Sequence, residues 1–139
     1  MKVVVTDRGQ YILRFSRGEE VFSEVEKFMQ SEGISACVFT GIGATSEVEI
    51  GYYNTHLKDY RKKPFYEELE LVSFLGNGCL VDNKPFIHAH GMFSRTDFSC
   101  LGGHVFKLVI SVTCEIFLTK LEGKMERKLD QETNLKLLE

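Results

Sequence analysis

One stretch of this chain carries a clear helical period, and almost everything else reads as strand. From Glu19 to Glu32 the apolar residues Val21, Phe22, Val25, Phe28 and Met29 recur at i, i+1, i+4, i+7 and i+8, which gathers them on one helix face. Glu19 and Glu20 stand at its start, where the helix dipole favours acids. Gly33 follows it, free to take the positive φ of a C-terminal stop. Such a helix must bury its stripe, and the surrounding sequence offers strands to bury it against. The predicted fold class is therefore α+β: a mostly antiparallel β-sheet with one main helix, about residues 19–32, packed on it in a single compact domain over 1–139.

The strand reading rests on runs of alternating or β-branched residues bounded by turn signals. "VVV" and "YILRF" read as two opening strands around a turn at "DRGQ". In "ISACVFTGIGATSEVEIGYYN", strands at 34–40 and 46–53 flank "GIGA", where Gly41 and Gly43 suit a tight connection. A dinucleotide fingerprint would require a helix after those glycines, and a second strand follows instead. Residues 54–64 read as a polar loop holding His56, and "FYEELELVSFLGNG" alternates acid and apolar up to a Gly-Asn-Gly turn. Strands at 79–81 and 85–93 come next, and the last long strand runs from His104 to about Leu121. The weak period of residues 122–139 suggests a short strand followed by a short helix or tail.

The chain has 139 residues, of which 43% are hydrophobic and 11 are Phe, enough for a core without staples. No apolar run approaches the ~20 residues of a membrane span. The start "MKVVVTDRGQ" has too short an apolar core for a secretion signal, so the expected location is the cytoplasm. Cys37, Cys79, Cys100 and Cys114 form no C-x-x-C pair and read as reduced thiols, mostly core filler. The net charge is −3. The basic clusters are "RKK" at 61–63 and the scattered Lys124, Arg127 and Lys128, all expected on the solvated surface. This balance argues against binding nucleic acid mainly through phosphates.

Three of the four histidines fall within "FIHAHGMFSRTDFSCLGGH" at 86–104. On a strand, His88 and His90 point to one face about 6.6–7 Å apart, together with Phe86 and Met92, while Ile87, Ala89, Gly91 and Phe93 face the core. Two imidazoles so placed can converge on one ion, with His104 as the third ligand. Gly102 and Gly103 beside it have no side chains to obstruct the approach and let the backbone turn sharply. Three neutral imidazoles suit Zn, Cu, Fe or Ni, and three protein ligands leave a coordination position open. Two plainer readings stand beside this: packing, and a polar pocket that binds a small anion or carbonyl compound without metal. A Cys100–His104 nucleophile pair and a triad with Ser94 and Asp97 lack the groups that would activate them. Glu115, in "TCEIF", is an acid in an apolar strand, expected to find a buried partner or to face water.

Taken in order, "LRFSRGEEVFSEVEKFMQSEGISACVFTGIGATSEVEIGYYN", "ELELVSFLGNG", "KPFIHAHGMFS", "GGHVF" and "VTCEIFL" resemble the plant-and-prokaryote-conserved (PPC) domain over about residues 10–120. The resemblance implies a compact α+β fold assembling as a homotrimer. In plants this domain is fused to AT-hooks that grip the DNA minor groove, and it mediates oligomerisation and contacts with transcription factors. In bacteria and archaea it stands alone and is described as a predicted DNA-binding protein. The Arg-Gly-Arg-Pro core of a hook is absent here, because the only prolines are Pro64 in "RKKPF" and Pro85 in "NKPFI". The family's H-x-H and G-G-H motifs match at His88, His90, Gly102, Gly103 and His104. By resemblance these histidines cluster, as a candidate metal set near a subunit boundary.

Two functional expectations follow. One is an oligomeric DNA-binding or regulatory module with a histidine-lined pocket for a transition metal such as Zn and a small-molecule ligand. The other is a metal-dependent hydrolase or lyase acting on a small carbonyl or ester substrate through His88, His90 and His104.

Overall fold

The computed structural model describes residues Met1–Glu139. The elements in order are β1 (Lys2–Asp7), β2 (Gln10–Ser16), α1 (Val21–Ser31), β3 (Cys37–Asn54), β4 (Asp59–Phe65), β5 (Leu69–Val81), β6 (Lys84–Ser94), β7 (Cys100–Lys120), β8 (Arg127–Leu129) and β9 (Lys136–Leu138). Seven strands form one antiparallel sheet in the order β1-β2-β7-β6-β5-β3-β4, and β8 and β9 form a separate hairpin. The α+β expectation is met, with a mostly antiparallel sheet and one helix. β7 also pairs β3, so β3, β5, β6 and β7 make a closed ring of hydrogen-bonded neighbours. Closure removes edges that would otherwise expose unpaired backbone.

The helix forms as its period predicts. Val21, Val25, Phe28 and Met29 are buried, and Phe22 packs edge-on against Phe74 at 6.0 Å between ring centroids. Glu20 lies outside the helix as its N-cap and accepts from the Phe22 and Ser23 amides at 3.1 and 2.8 Å. It also accepts from the Leu108 amide of β7 at 3.3 Å, which ties helix to sheet. Glu20→Ala removes all three contacts and is expected to cost about 1–2 kcal/mol, read as a lower urea midpoint at unchanged slope. At the far end the Ile34 amide reaches back to the Met29 carbonyl at 2.8 Å, with Gly33 at φ 60°. The helix packs against β6 and β7, and 24 buried residues form one core cluster that includes Phe15, Phe39, Phe74, Ile87, Phe93 and Leu108.

Several boundaries differ from the sequence reading. "GIGA" is no connection: β3 runs unbroken from Cys37 to Asn54, with register shifts at Gly41/Gly43 and Gly43/Thr45. A Cβ on Gly43 would stand 2.4 Å from the Thr113 carbonyl oxygen and 2.6 Å from Cys114 Cα. The glycine is there so that β3 and β7 can approach at a bulge. The Gly-Asn-Gly at 76–78 likewise lies inside β5, and the turn comes at Asp82 and Asn83, with φ of 51° and 62°. Residues 59–65, read as loop, form the edge strand β4, whose polar exposed side chains carry no alternating signal. β7 begins at Cys100 rather than His104. The C-terminal segment forms the β8–β9 hairpin, with no helix. Its turn is held by Asp130, which accepts from the Thr133 amide and hydroxyl at 2.7 and 2.6 Å.

Cys37, Cys79 and Cys114 are buried free thiols and Cys100 is exposed. Burial pushes the Cys37 thiol up to about 11 and the Cys114 thiol up to about 12, so neither is reactive.

Candidate metal centre

The alternation of β6 places its residues as expected. Ile87, Ala89, Gly91 and Phe93 are buried, while His88 is half-buried and His90 exposed on the other face. Antiparallel pairing of β6 with β7 sets His90 directly opposite His104. The ring centroids are 5.4 Å apart for His88–His90, 4.9 Å for His88–His104 and 5.3 Å for His90–His104. One ring nitrogen from each lies within 4.8 Å of the others. His56 stays apart, in the turn capped by Asn54.

Gly102 and Gly103 contribute differently from the expectation. Both lie inside β7, so neither makes a turn. A Cβ on Gly102 would meet the Gly91 carbonyl oxygen at 2.5 Å. On Gly103, at φ 155°, it would meet the Gly51 carbonyl oxygen at 2.8 Å. The pair lets β7 press against β6 on one side and β3 on the other, and this close approach brings His104 to the two β6 histidines.

Three residues that the histidine pattern did not announce, Tyr60, Phe106 and Arg127, complete the surroundings. Tyr60 of β4 has its hydroxyl 3.4 Å from His104 Nδ1, and the Phe106 ring centroid is 4.4 Å from that of His104. Arg127 of β8, expected on the solvated surface, is only 9% exposed. Its Nη2 donates to Asn77 Oδ1 at 3.0 Å and lies 2.9 Å from His88 Nδ1, and Nη1 donates to the Lys136 carbonyl at 2.9 Å. A guanidinium only donates, so His88 Nδ1 accepts here and the neutral ring carries its proton on Nε2. A pocket of about 270 Å³ lies between this face and the C-terminal hairpin, lined by Tyr60, His88, His104, Phe106, Arg127 and Leu137 among others. A larger hollow of about 560 Å³ beside α1 contains neither histidine nor cysteine.

The other sequence candidates do not converge on the site. Cys100 Sγ points to the Phe98 carbonyl, Ser94 Oγ to the Arg95 carbonyl, and Asp97 caps its own turn by accepting from Ser99. Glu115 is exposed on β7 at the register of Arg14 and Ile42, so of its two expected settings, a buried partner or water, it takes water. The strand alternation puts its side chain in water, opposite Cys114 and Ile116.

The chain matches the Plants and Prokaryotes Conserved (PCC) domain over residues 4–122. It belongs to that family. A PPC protein from Pyrococcus horikoshii is 35% identical, with a TM-score of 0.88 covering 94% of this chain and 90% of that one. A metal-containing protein from Archaeoglobus fulgidus is also 35% identical, with a TM-score of 0.88 covering 98% and 95%. A protein from Ralstonia eutropha JMP134, named as a conjectural DNA-binding protein, is 28% identical with a TM-score of 0.90 and coverage of 97% and 94%. No curated protein matches the chain. Arg127 and the hairpin that carries it lie beyond the span matched to the PCC domain.

Two histidines of this PCC protein, His88 and His104, are held neutral by their surroundings. Burial first, then Arg127 and His90, lowers His88 to about 4. Burial first, then the other two histidines, Lys62 and Arg127, lowers His104 to about 4. Unfolded imidazoles titrate near 6.5, so the unfolded chain takes up protons that the folded chain refuses between about pH 6.5 and 4. Stability therefore falls as pH drops through that window. Discounted for the partial exposure of both rings, the loss is on the order of 1–3 kcal/mol. Urea titrations of metal-free protein at pH 7 and 4.5 check this, and a His88→Gln/His104→Gln variant is expected to show the smaller slope.

The donor set suits a transition metal, with one condition. Tetrahedral bonds of about 2.0–2.1 Å put ligand nitrogens roughly 3.3 Å apart, so the rings must close in from their present spacing. His104 has Nε2 available while Nδ1 faces Tyr60. His88 can ligate through Nε2 only when Arg127 releases Nδ1, because a coordinating imidazole normally donates from its other nitrogen.

Proposed function

We propose that this protein is an oligomeric PCC module whose working site is a transition-metal centre formed by His88, His90 and His104, zinc being the best-suited ion. The observation that carries the reading is the convergence of three imidazoles from two strands whose close approach Gly102 and Gly103 permit. The metal content of the Archaeoglobus relative supports it. A bound zinc would supply Lewis acidity beside a pocket large enough for a small molecule. The pocket lining has no carboxylate to serve as a general base, which favours ligand binding or regulation over hydrolysis or lyase chemistry. The four free thiols fit a reducing compartment such as the cytoplasm. No helix is long and apolar enough to cross a membrane.

The oligomer, a trimer by family resemblance, is supported by an exposed apolar band on the ring. Phe117, Thr40, Leu75 and His90 follow one another across β7, β3, β5 and β6, with Val38 and Ile42 alongside on the same face of β3. Phe117, Leu75 and Ile42 are exposed at 45%, 53% and 53%, a cluster that a lone chain leaves wet. A subunit covering it would lie beside His90. Sedimentation equilibrium is expected to return three times the 15.9 kDa chain mass, and a single-chain mass would sink this part. Elemental mass spectrometry of untagged protein, prepared without chelator, is expected to find about one transition-metal ion per chain. Metal-free protein would overturn the centre.

DNA binding is a second reading, favoured by the exposed basic run Arg61, Lys62 and Lys63 on the edge strand β4 and by the name of the Ralstonia relative. The net charge of −3 weighs against it. Gel-shift titration on mixed-sequence DNA at low salt decides, since no shift at micromolar protein removes this reading.

A further inference from the structure

Arg127 is a buried cation without an anion. None of the chain's ion pairs includes it. Of the five N–H donors of a guanidinium, three meet acceptors, all of them neutral: Asn77 Oδ1, His88 Nδ1 and the Lys136 carbonyl. Nε is buried with no partner at all. Desolvating a charge without a counter-charge is costly, and buried charges are paired or hold a ligand. The side chain lines the 270 Å³ pocket, whose other charged member is the cation Lys136 and which includes no Asp or Glu. The rest of the lining is mainly apolar, with Phe86, Phe106, Leu135 and Leu137. Tyr60 and Asn134 add polar groups at the wall.

From this we infer that the pocket between the histidine face and the C-terminal hairpin is a receptor for a small carboxylate with an apolar body, anchored by Arg127. Planar bidentate recognition of carboxylate is what a guanidinium does best, and the aromatic and leucine walls suit an alkyl or aryl substituent. A compact dianion such as phosphate shares the charge but leaves those walls unused.

A carboxylate that draws Arg127 away frees His88 Nδ1, and the ring can then present Nε2 as a ligand. Anion and metal binding are therefore positively coupled. This coupling rests on the metal reading above, while the anion site itself stands on Arg127 and the pocket alone.

The test titrates the full-length protein, metal-free and then zinc-loaded, with three probes at constant ionic strength: isobutyrate, its neutral isostere isobutyramide, and inorganic phosphate. Nitrogen–proton correlation spectra follow the Arg127 Nε–H and the amides of Leu135, Lys136 and Leu137. Isobutyrate is expected to shift these signals saturably and to bind at least about tenfold more tightly than isobutyramide. Arg127→Met is expected to abolish that preference and Arg127→Lys to retain part of it, both judged on protein with a native amide pattern. Equal binding of isobutyrate and isobutyramide by wild type overturns the proposal without recourse to any variant. Tighter binding of phosphate than of isobutyrate overturns the carboxylate assignment. Zinc loading is expected to tighten isobutyrate about 5–10-fold. If the protein takes up no zinc, the metal reading falls, and the metal-free titration still decides the anion site.

Discussion

Gly43→Ala is expected to lower the unfolding free energy by about 3 kcal/mol, a drop in Tm on the order of 10 °C for a chain of this size. The new methyl carbon would sit 2.4 Å from the Thr113 carbonyl oxygen, 2.6 Å from Cys114 Cα and 2.9 Å from Cys114 Cβ. Two of these atoms are backbone, so no side-chain rotation relieves the clash. Either β3 and β7 separate at the bulge or the ring opens. Cys114 is fully buried beside Ile116, so separation also loosens the core. Differential scanning calorimetry of Gly43→Ala beside wild type decides. A shift of a degree or two would mean that the bulge is soft and that the close approach of β3 to β7 does not hold the ring together. Gly18→Ala is a useful contrast, because no atom lies within 4 Å of its Cβ and the only cost is its φ of 85°.

His90→Ala is expected to bind zinc at least about a hundredfold more weakly than wild type while folding normally. His90 is the exposed member of the triad, so its removal leaves the core intact. It takes away one of three ligands from a site that has no carboxylate or thiolate in reach as a substitute. Competition against a colorimetric chelator gives the affinity, and the urea midpoint of the metal-free variant reports folding. Equal zinc affinity in the two proteins would show that the ion sits elsewhere. His88 and His104 would then serve the pocket and not a metal.

The helix was readable because five apolar residues at helical spacing have no other economical arrangement, and Glu20 and Gly33 mark its ends. The face assignment on β6 was readable because period two admits only two choices, and Ile87, Ala89 and Phe93 belong inside. The glycines misled. A Gly-x-Gly at 41–43 and a Gly-Asn-Gly at 76–78 have the composition of turns. Their role here is to remove Cβ atoms where strands touch, and that depends on a partner strand some seventy residues away for Gly43. The edge strand β4 is not legible in the sequence, because an edge with polar residues on both faces has no alternation to detect.

The site divided along the same line. His88, His90 and His104 are a sequence motif, and their spacing on one strand plus a third histidine behind two glycines was sufficient to nominate them. Arg127 was not, since nothing local separates it from Lys124 and Lys128, which stay in water. Only the return of the β8–β9 hairpin across the sheet buries its guanidinium against Asn77 and His88. The α+β class, the helix and the histidine face are legible from local patterning, because periodicity is set by backbone geometry within a few residues. Which strands close the ring, why the glycines are needed, and that a cation without a counter-ion stands beside the histidines follow from contacts between residues far apart in the chain, which no local pattern encodes.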